Sequence, residues 1–239
     1  MKNTIKLITL IVLITIVFTP NKAFAQNQKL YPVVSAITFK TNMRKLWEEH
    51  IFWTRNVIFC LVDDLPGRVQ AIKRQLQNQI DIGNAIKPYY GDAAGDKLTE
   101  LLYNHVNITT DIIKAAKTRV TRVINDFNKK WFANADEMVK FLHNLNPDWT
   151  TGDLKTMLNE QMKLTADEAG ERLKKNYDAD VVAFDKVHEG ALKMSDTLAE
   201  GIIIQFPKKF RNPLEVKTAS KAPIKTPTKT PTKTVKKNK

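Results

Sequence analysis

The chain has 239 residues, of which 38 are Lys or Arg and 25 are Asp or Glu, giving a formal net charge of +13. Three lysines and no acid lie in residues 1–25, and eleven basic residues stand against the single Glu215 in residues 208–239, so 24 residues of each sign remain between them. A neutral body with basic ends argues against a fold that binds nucleic acid through its own surface, and the single cysteine, Cys60, excludes an internal disulfide framework.

Met1–Ala25 has the make-up of a secretory signal peptide: Lys2 and Lys6, the apolar run Leu7–Phe18, then the small-x-small site Ala23-Phe24-Ala25. A run of twelve residues makes a helix of about 18 Å, short of a ~30 Å hydrocarbon core, so cleavage is expected over retention as an anchor. The expected location is therefore periplasmic or extracellular. Residues 26–34 read as a short linker.

From there to Pro207 apolar residues recur at spacings of three and four, and strand-like alternation is missing. Segment one, about 35–63, carries Leu46, His50, Trp53, Val57 and Cys60 or Leu61 on one stripe, and stops at Leu65-Pro66-Gly67. Cys60 reads as a small buried hydrophobe, with an intermolecular disulfide as the alternative. Segment two, about 68–87, places Val69, Ile72, Leu76, Ile80 and Gly83 inward and ends at Pro88-Tyr89-Tyr90-Gly91. Asp92 is the expected cap of segment three, whose face is Leu98, Leu101, His105, Ile108 and Ile112.

Segment four, about 118–145, aligns Val120, Ile124, Phe127, Trp131, Met138 and Leu142, and Asn146-Pro147 ends it. Segment five, from Thr151, turns Leu154, Met157, Leu158, Gln161, Leu164 and Ala169 inward. Segment six, about 177–205, does so with Val181, Phe184, His188, Ala191, Ser195, Leu198 and Ile202. Short connections between long amphipathic helices imply antiparallel neighbours. The expectation is an all-α, up-and-down antiparallel bundle of about six helical segments over residues 35–207. One echo runs through it: Leu101–Thr109 and Met157–Thr165 share a pattern that pairs His105 with Gln161.

The tail, 208–239, repeats lysine every four residues at Lys217, Lys221, Lys225, Lys229 and Lys233, with Pro223, Pro227 and Pro231 in the same period; Lys236 and Lys237 follow. Proline at that spacing excludes helix, and nothing in the segment is apolar enough to fold. Extended chain separates successive lysines by about 12 Å. Lysine without aromatics argues against base stacking and bidentate readout. What remains is salt-dependent attraction to anionic envelope polymers, acidic lipid headgroups or extracellular DNA.

Three of the four histidines fall inside apolar stripes, and Asp185 precedes His188 by one helical turn. If the helices brought His50, His105, Asp185 and His188 together, imidazole and carboxylate ligands would suit Zn or non-haem Fe. The alternatives are separately satisfied core histidines, or a pH-sensitive use of one of them. His143 reads as a dipole partner at the end of segment four. No nucleophile elbow, Walker loop, dinucleotide fingerprint or Cys-x-x-Cys is present.

Several stretches carry a resemblance: Leu46–Arg55, Asn78–Gly91, Asn134–Glu137, Asn146–Trp149 and Gly201–Pro207. Over about residues 43–210 the chain resembles a family of small exported or cell-associated bacterial helical proteins with no agreed reaction. Some members carry enzyme names such as acetylglutamate kinase, which nothing in these motifs supports. The resemblance implies a role beyond surface for Asn78, Asp81, Tyr89 and Tyr90, and the family often shows His where this chain has Gln161. The functional expectation is an exported, non-enzymatic helical bundle held near polyanions by its tail, with a metal-binding bundle as the alternative.

Overall fold

The structure, a computed structural model, describes residues 34–210. The expected signal peptide, nearly all of the expected linker and the repeating lysines of the tail lie outside the described residues. Six helices follow one another: α1 (Ala36–Val62), α2 (Arg68–Tyr90), α3 (Asp92–Thr118), α4 (Thr121–Leu145), α5 (Thr151–Leu173) and α6 (Tyr177–Gln205), with a closing 3-10 turn at Pro207–Phe210. Each helix packs against the next, and α6 returns beside α1, so the ring closes. The run of α6 against α1 is antiparallel, with Lys40 bonded to Glu200 at 2.6 Å near one end and Arg55 to Asp180 at 2.9 Å towards the other. Helix α1 also touches α3 and α5 across the axis. Among the described residues no helix is long and apolar enough to cross a membrane.

The helix ends follow from local chemistry. Ser35 Oγ accepts from the Thr38 amide at 3.1 Å, and Thr150 Oγ1 accepts from the Asp153 amide at 3.1 Å, so α1 and α5 begin on hydroxyl caps. Helix α2 runs past the expected last residue, about 87, through Pro88 to Tyr90, and stops at the end of the expected Pro88–Gly91 break. Proline removes only its own amide, and the carbonyl released belongs to the exposed Asn84. The break comes at Gly91, with φ 88° and ψ 167°, a region open essentially to glycine alone. Gly91 rather than Asp92 therefore holds the cap position of α3. Arg119, left-handed at φ 59°, ends α3 two residues before α4 begins.

Packing departs from the expected stripes in identifiable places. On α2 the inward residues are Ala71, Gln75, Asn78, Gln79, Ile82, Gly83 and Ile86, of which only Gly83 was expected, while Val69 is 60% exposed. The face is turned because polar side chains there find partners: Asn78 Nδ2 donates to the Leu46 carbonyl at 3.0 Å and Gln79 Nε2 to the Gln75 carbonyl at 2.7 Å. A paired amide loses little on burial, whereas an unpaired one costs a few kcal/mol (about 1–3). On α1 the buried row is Phe39, Met43, Trp47 and Ile51. Val120 and Val181, expected inside, are exposed: Val120 stands at the cap position before α4, and on α6 the buried positions are Asp180 and Ala183 instead. Phe210 is buried against Phe39 and Tyr89, so the bundle extends three residues past the expected boundary at Pro207.

At the end of the bundle away from Gly91, buried charges tie α1, α5 and α6. Arg55 Nη1 binds Glu168 at 2.6 Å and Asp180 at 2.9 Å; Arg172 binds Asp180 at 3.3 Å and also Asp63. Both guanidinium groups lie over the Phe59 ring, at 3.9 Å for Arg172 and 4.6 Å for Arg55. Glu168 and Asp180 are essentially inaccessible, and neither stood out in the sequence pattern.

Gly91→Ala is expected to lower the urea unfolding free energy by about 1–3 kcal/mol through its backbone conformation. Gly67→Ala serves as the control, at φ −76° with open space around the added methyl. Equal midpoints for the two variants would contradict this account of the α2–α3 turn.

Candidate functional site

The closed ring leaves two joined chambers along its axis. The first, about 60 Å³, lies in the half of the bundle that contains Gly91. Its walls are aliphatic and aromatic, with four methionines: Met43, Met138, Met162 and Met194. Tyr90, Trp149, Leu145 and Ile202 close it towards the bundle end. There Tyr90 meets Trp149 at 6.4 Å and Phe206 at 5.1 Å between ring centres, and Tyr90 Oη donates to Gln205 at 2.6 Å. Tyr89 stacks on Phe210 at 5.0 Å just outside, and burial pushes its hydroxyl up to about 12. Tyr89 and Tyr90 are thus structural closures of this end.

The second chamber, about 50 Å³, is more polar and lies further along the axis. His50, His105, Gln161 and Met162 line both chambers and mark where they join. A single device recurs on three helices. Thr54 Oγ1 donates to the His50 carbonyl at 2.8 Å, Thr109 Oγ1 to the His105 carbonyl at 2.8 Å, and Thr165 Oγ1 to the Gln161 carbonyl at 3.0 Å. In each case a threonine one turn on returns its hydroxyl proton to the backbone. All six side chains line the polar chamber. The sequence echo of His105 with Gln161 therefore corresponds to two matching positions of one layer.

His105 is fully committed. Indole N–H is a donor only, so Trp131 Nε1, at 3.0 Å, fixes His105 Nε2 as an unprotonated acceptor. The ring proton then sits on Nδ1 and goes to Asn134 Oδ1 at 3.1 Å; Asn134 Nδ2 in turn donates to the Leu101 carbonyl at 3.1 Å. His50 Nδ1 lies 3.4 Å from Gln75 Nε2, which makes its shorter bond, 2.8 Å, to Thr54 Oγ1. Protein atoms surround both rings, and what surface they keep faces the chambers. Burial lowers each imidazole to about 4; the Gln79 amide opposes this slightly at His50, and the nearby His50 adds to it at His105.

The expected metal set is not assembled. His188 sits on the outer face, 43% exposed, with Nε2 3.5 Å from Glu48, and Asp185 is exposed on the same helix. The α6 positions that face the axis are Ala183, Val187 and Ala191, a rotation of the stripe that carries His188 outward. With both nitrogens of His105 already bonded, only His50 of the four stands at the axis with ring capacity to spare. Among the described residues no group of three or more His, Cys, Asp or Glu is placed to hold a metal ion. His143 does more than meet a helix dipole: its Nδ1 bonds the Trp149 carbonyl at 2.8 Å and fixes the α4–α5 turn. Of the residues favoured by resemblance, Asn78 is buried and ties α2 to α1, whereas Asp81 is partly exposed, 3.8 Å from Arg74.

A groove of about 760 Å³ runs outside the apolar chamber between α5 and α6. Trp149 and Gln161 line both the groove and the chamber, so they form the wall between them. Gly190 and Gly201 on α6 let those two side chains seat directly against the helix: a methyl on Gly190 would collide with Gln161 Oε1, and one on Gly201 with the Trp149 indole. No protein-family model, no curated protein and no solved structure matches this chain.

Two opposing pH terms follow. His50 and His105, lowered to about 4, contribute stability that is complete above their ordinary value of 6.5 and is lost as pH falls towards 4. Glu168, raised by burial from 4.5 to about 7 against the pull of Arg55, contributes in the other direction: the fold gains as pH falls from 7 to 4.5. Each proton taken up differently is worth about 1.4 kcal/mol per pH unit. Urea titrations between pH 7.5 and 5 should therefore show a steeper acid loss in Glu168→Gln than in the natural chain, and a shallower one in His50→Gln. Identical slopes in all three would contradict the neutral-histidine layer.

Proposed function

We propose that this protein is an exported, non-enzymatic binding bundle. Its axis receives the alkyl part of a small amphiphile, and its basic tail holds it loosely against anionic polymers or lipid surfaces. The observation that carries the reading is the enclosed, methionine-rich apolar chamber that opens onto a polar layer. A cavity of about 60 Å³ is smaller than the ~150 Å³ cavity that admits benzene. Any guest must therefore part the walls. Methionine, unbranched and polarizable, lets such walls re-seat around a guest. A guest entering from the α5–α6 groove would have to displace Trp149 and Gln161, the side chains that line both spaces. The ionisable groups at the axis are held neutral and hydrogen-bonded, an arrangement that favours holding a guest over transforming it.

Thermal unfolding in hexane-saturated buffer tests the chamber. Occupancy of the folded state raises Tm by mass action, and Leu102→Phe, which fills the first chamber, should abolish the rise while keeping the helical circular dichroism. No rise in the natural chain would end the binding reading.

The tail is tested separately. Deleting residues 211–239 should remove binding to heparin-agarose or anionic vesicles at low salt and leave the hexane effect intact. In the full chain the binding should weaken by orders of magnitude on going from 50 to 200 mM salt, about 10³-fold or more for six or so lysine contacts to a DNA-like polyanion. Unchanged affinity after deletion would rule out the tether.

A further inference from the structure

The α1–α2, α3–α4 and α5–α6 turns lie together at the end of the bundle away from Gly91. Lys117 ties two of them, donating to the Leu61 carbonyl at 2.9 Å and binding Asp64 at 2.6 Å. Arg172 ties in the third by binding Asp63 and Asp180. Among the described residues eleven large apolar side chains are exposed, and seven of them fall within two helical turns of this end. Leu65, Val120 and Tyr177 mark the three turns, each roughly half exposed, and the others are four valines of α2, α4 and α6. None of the seven lines either chamber or the α5–α6 groove, so they offer a surface and not a recess.

The charge at this end is unbalanced. Exposed Arg119, Arg122 and Lys175 make no ion pair among the described residues, and Arg68 lies beside Asp64, which Lys117 already holds. Asp63 and Glu171 are paired as well, which leaves Asp178 as the opposing charge. Local preference is set aside to place these residues. Arg119 and Lys175 hold left-handed backbone, at φ 59° and 62°, where glycine is favoured. Val120 occupies the cap position of α4, where a hydroxyl or carboxylate would bond the free amides, and the first turn carries Arg122 and no acid, against the helix dipole. Departures of this kind are expected where a surface is used.

We infer that this end of the bundle docks on an anionic lipid surface, with Leu65, Val120 and Tyr177 entering the headgroup boundary and Arg119, Arg122 and Lys175 meeting lipid phosphates. An apolar patch rimmed by cations gains twice at such a surface, from apolar burial and from charge attraction. Tyrosine, apolar in its ring and polar at its tip, suits the headgroup level. Nucleic acid would answer the cations and leave the aliphatic side chains in water. A second copy meeting the same end would set like charges against one another. The contact needs neither the tail nor a guest in the chambers, so it stands apart from both.

The test uses the full chain with vesicles of phosphatidylcholine alone, and of phosphatidylcholine and phosphatidylglycerol in equal parts. A polarity-sensitive thiol dye is placed on Val120→Cys or, at the opposite end, on Ile204→Cys; both positions are exposed, Cys60 is buried, and the dye-treated natural chain is the blank. On the anionic vesicles the dye at 120 should brighten several-fold and shift to the blue, while the dye at 204 stays unchanged. Phosphatidylcholine alone should affect neither. Arg119→Gly with Lys175→Gly removes two charges at positions whose backbone suits glycine, and vesicle affinity should fall by about fivefold for each charge. Vesicles that carry the protein down while the dye at 120 keeps its aqueous spectrum would show attachment by the tail alone and overturn the inference. Equal changes at 120 and 204 overturn it too, since Ile204 stands nearer the start of the tail, and so does unchanged affinity in the doubly substituted chain. A dimer in lipid-free solution that Leu65→Ser abolishes would assign this end to a second copy and overturn it as well.

Discussion

Six antiparallel helices in a closed ring leave an axis that no backbone occupies, and every side chain reaching it must be apolar or hydrogen-bonded. This requirement organises the molecule. Near Gly91 the axis is filled by methionine, leucine and aromatic side chains, with a residual chamber. At mid-height it is crossed by histidines, glutamines and threonines, each bonded to a neighbour or to its own helix. Towards the other end, charged side chains join α1, α5 and α6 through Arg55, Arg172, Glu168 and Asp180.

The polar layer is built economically from one local device. A threonine four residues after a His or Gln spends its hydroxyl proton on that residue's carbonyl, which satisfies the donor without recruiting another helix. Three helices repeat it at one level. The result is a neutral layer: Trp131 fixes the tautomer of His105, and burial keeps both rings unprotonated at neutral pH. The proposal of an uncharged amphiphile as guest rests on this neutral layer beside an apolar chamber, whose lining carries no charged side chain.

The helices were legible in the sequence because their signals are local. Pro66-Gly67, Asn146-Pro147 and Thr150 mark ends that depend only on backbone dihedrals and on amides lacking partners. The inward faces were legible where they are aliphatic, as with Leu154 and Leu158 on α5 or Leu198 and Ile202 on α6. They were illegible where burial is polar. A hydrophobic count turns Gln75, Asn78 and Gln79 outward, since their carbonyl and hydroxyl partners sit on another helix or one turn away and carry no signal of their own. The three-histidine pattern failed for a related reason: a stripe fixes a face only to within about 100°, and on α6 that latitude separates the axis from the solvent.

By itself the sequence determined six helices, their order, their antiparallel succession and the separation of a neutral body from basic ends, because helix periodicity, proline and formal charge are properties of neighbouring residues. Only the tertiary structure decided that the ring closes between α1 and α6, that His50, His105 and Gln161 meet in one layer while His188 does not, and that Glu168 and Asp180 are buried. Those outcomes depend on the rotation of each helix about its axis. That rotation is set by the balance of apolar burial and hydrogen bonding across several helices at once, which no stretch of the chain contains.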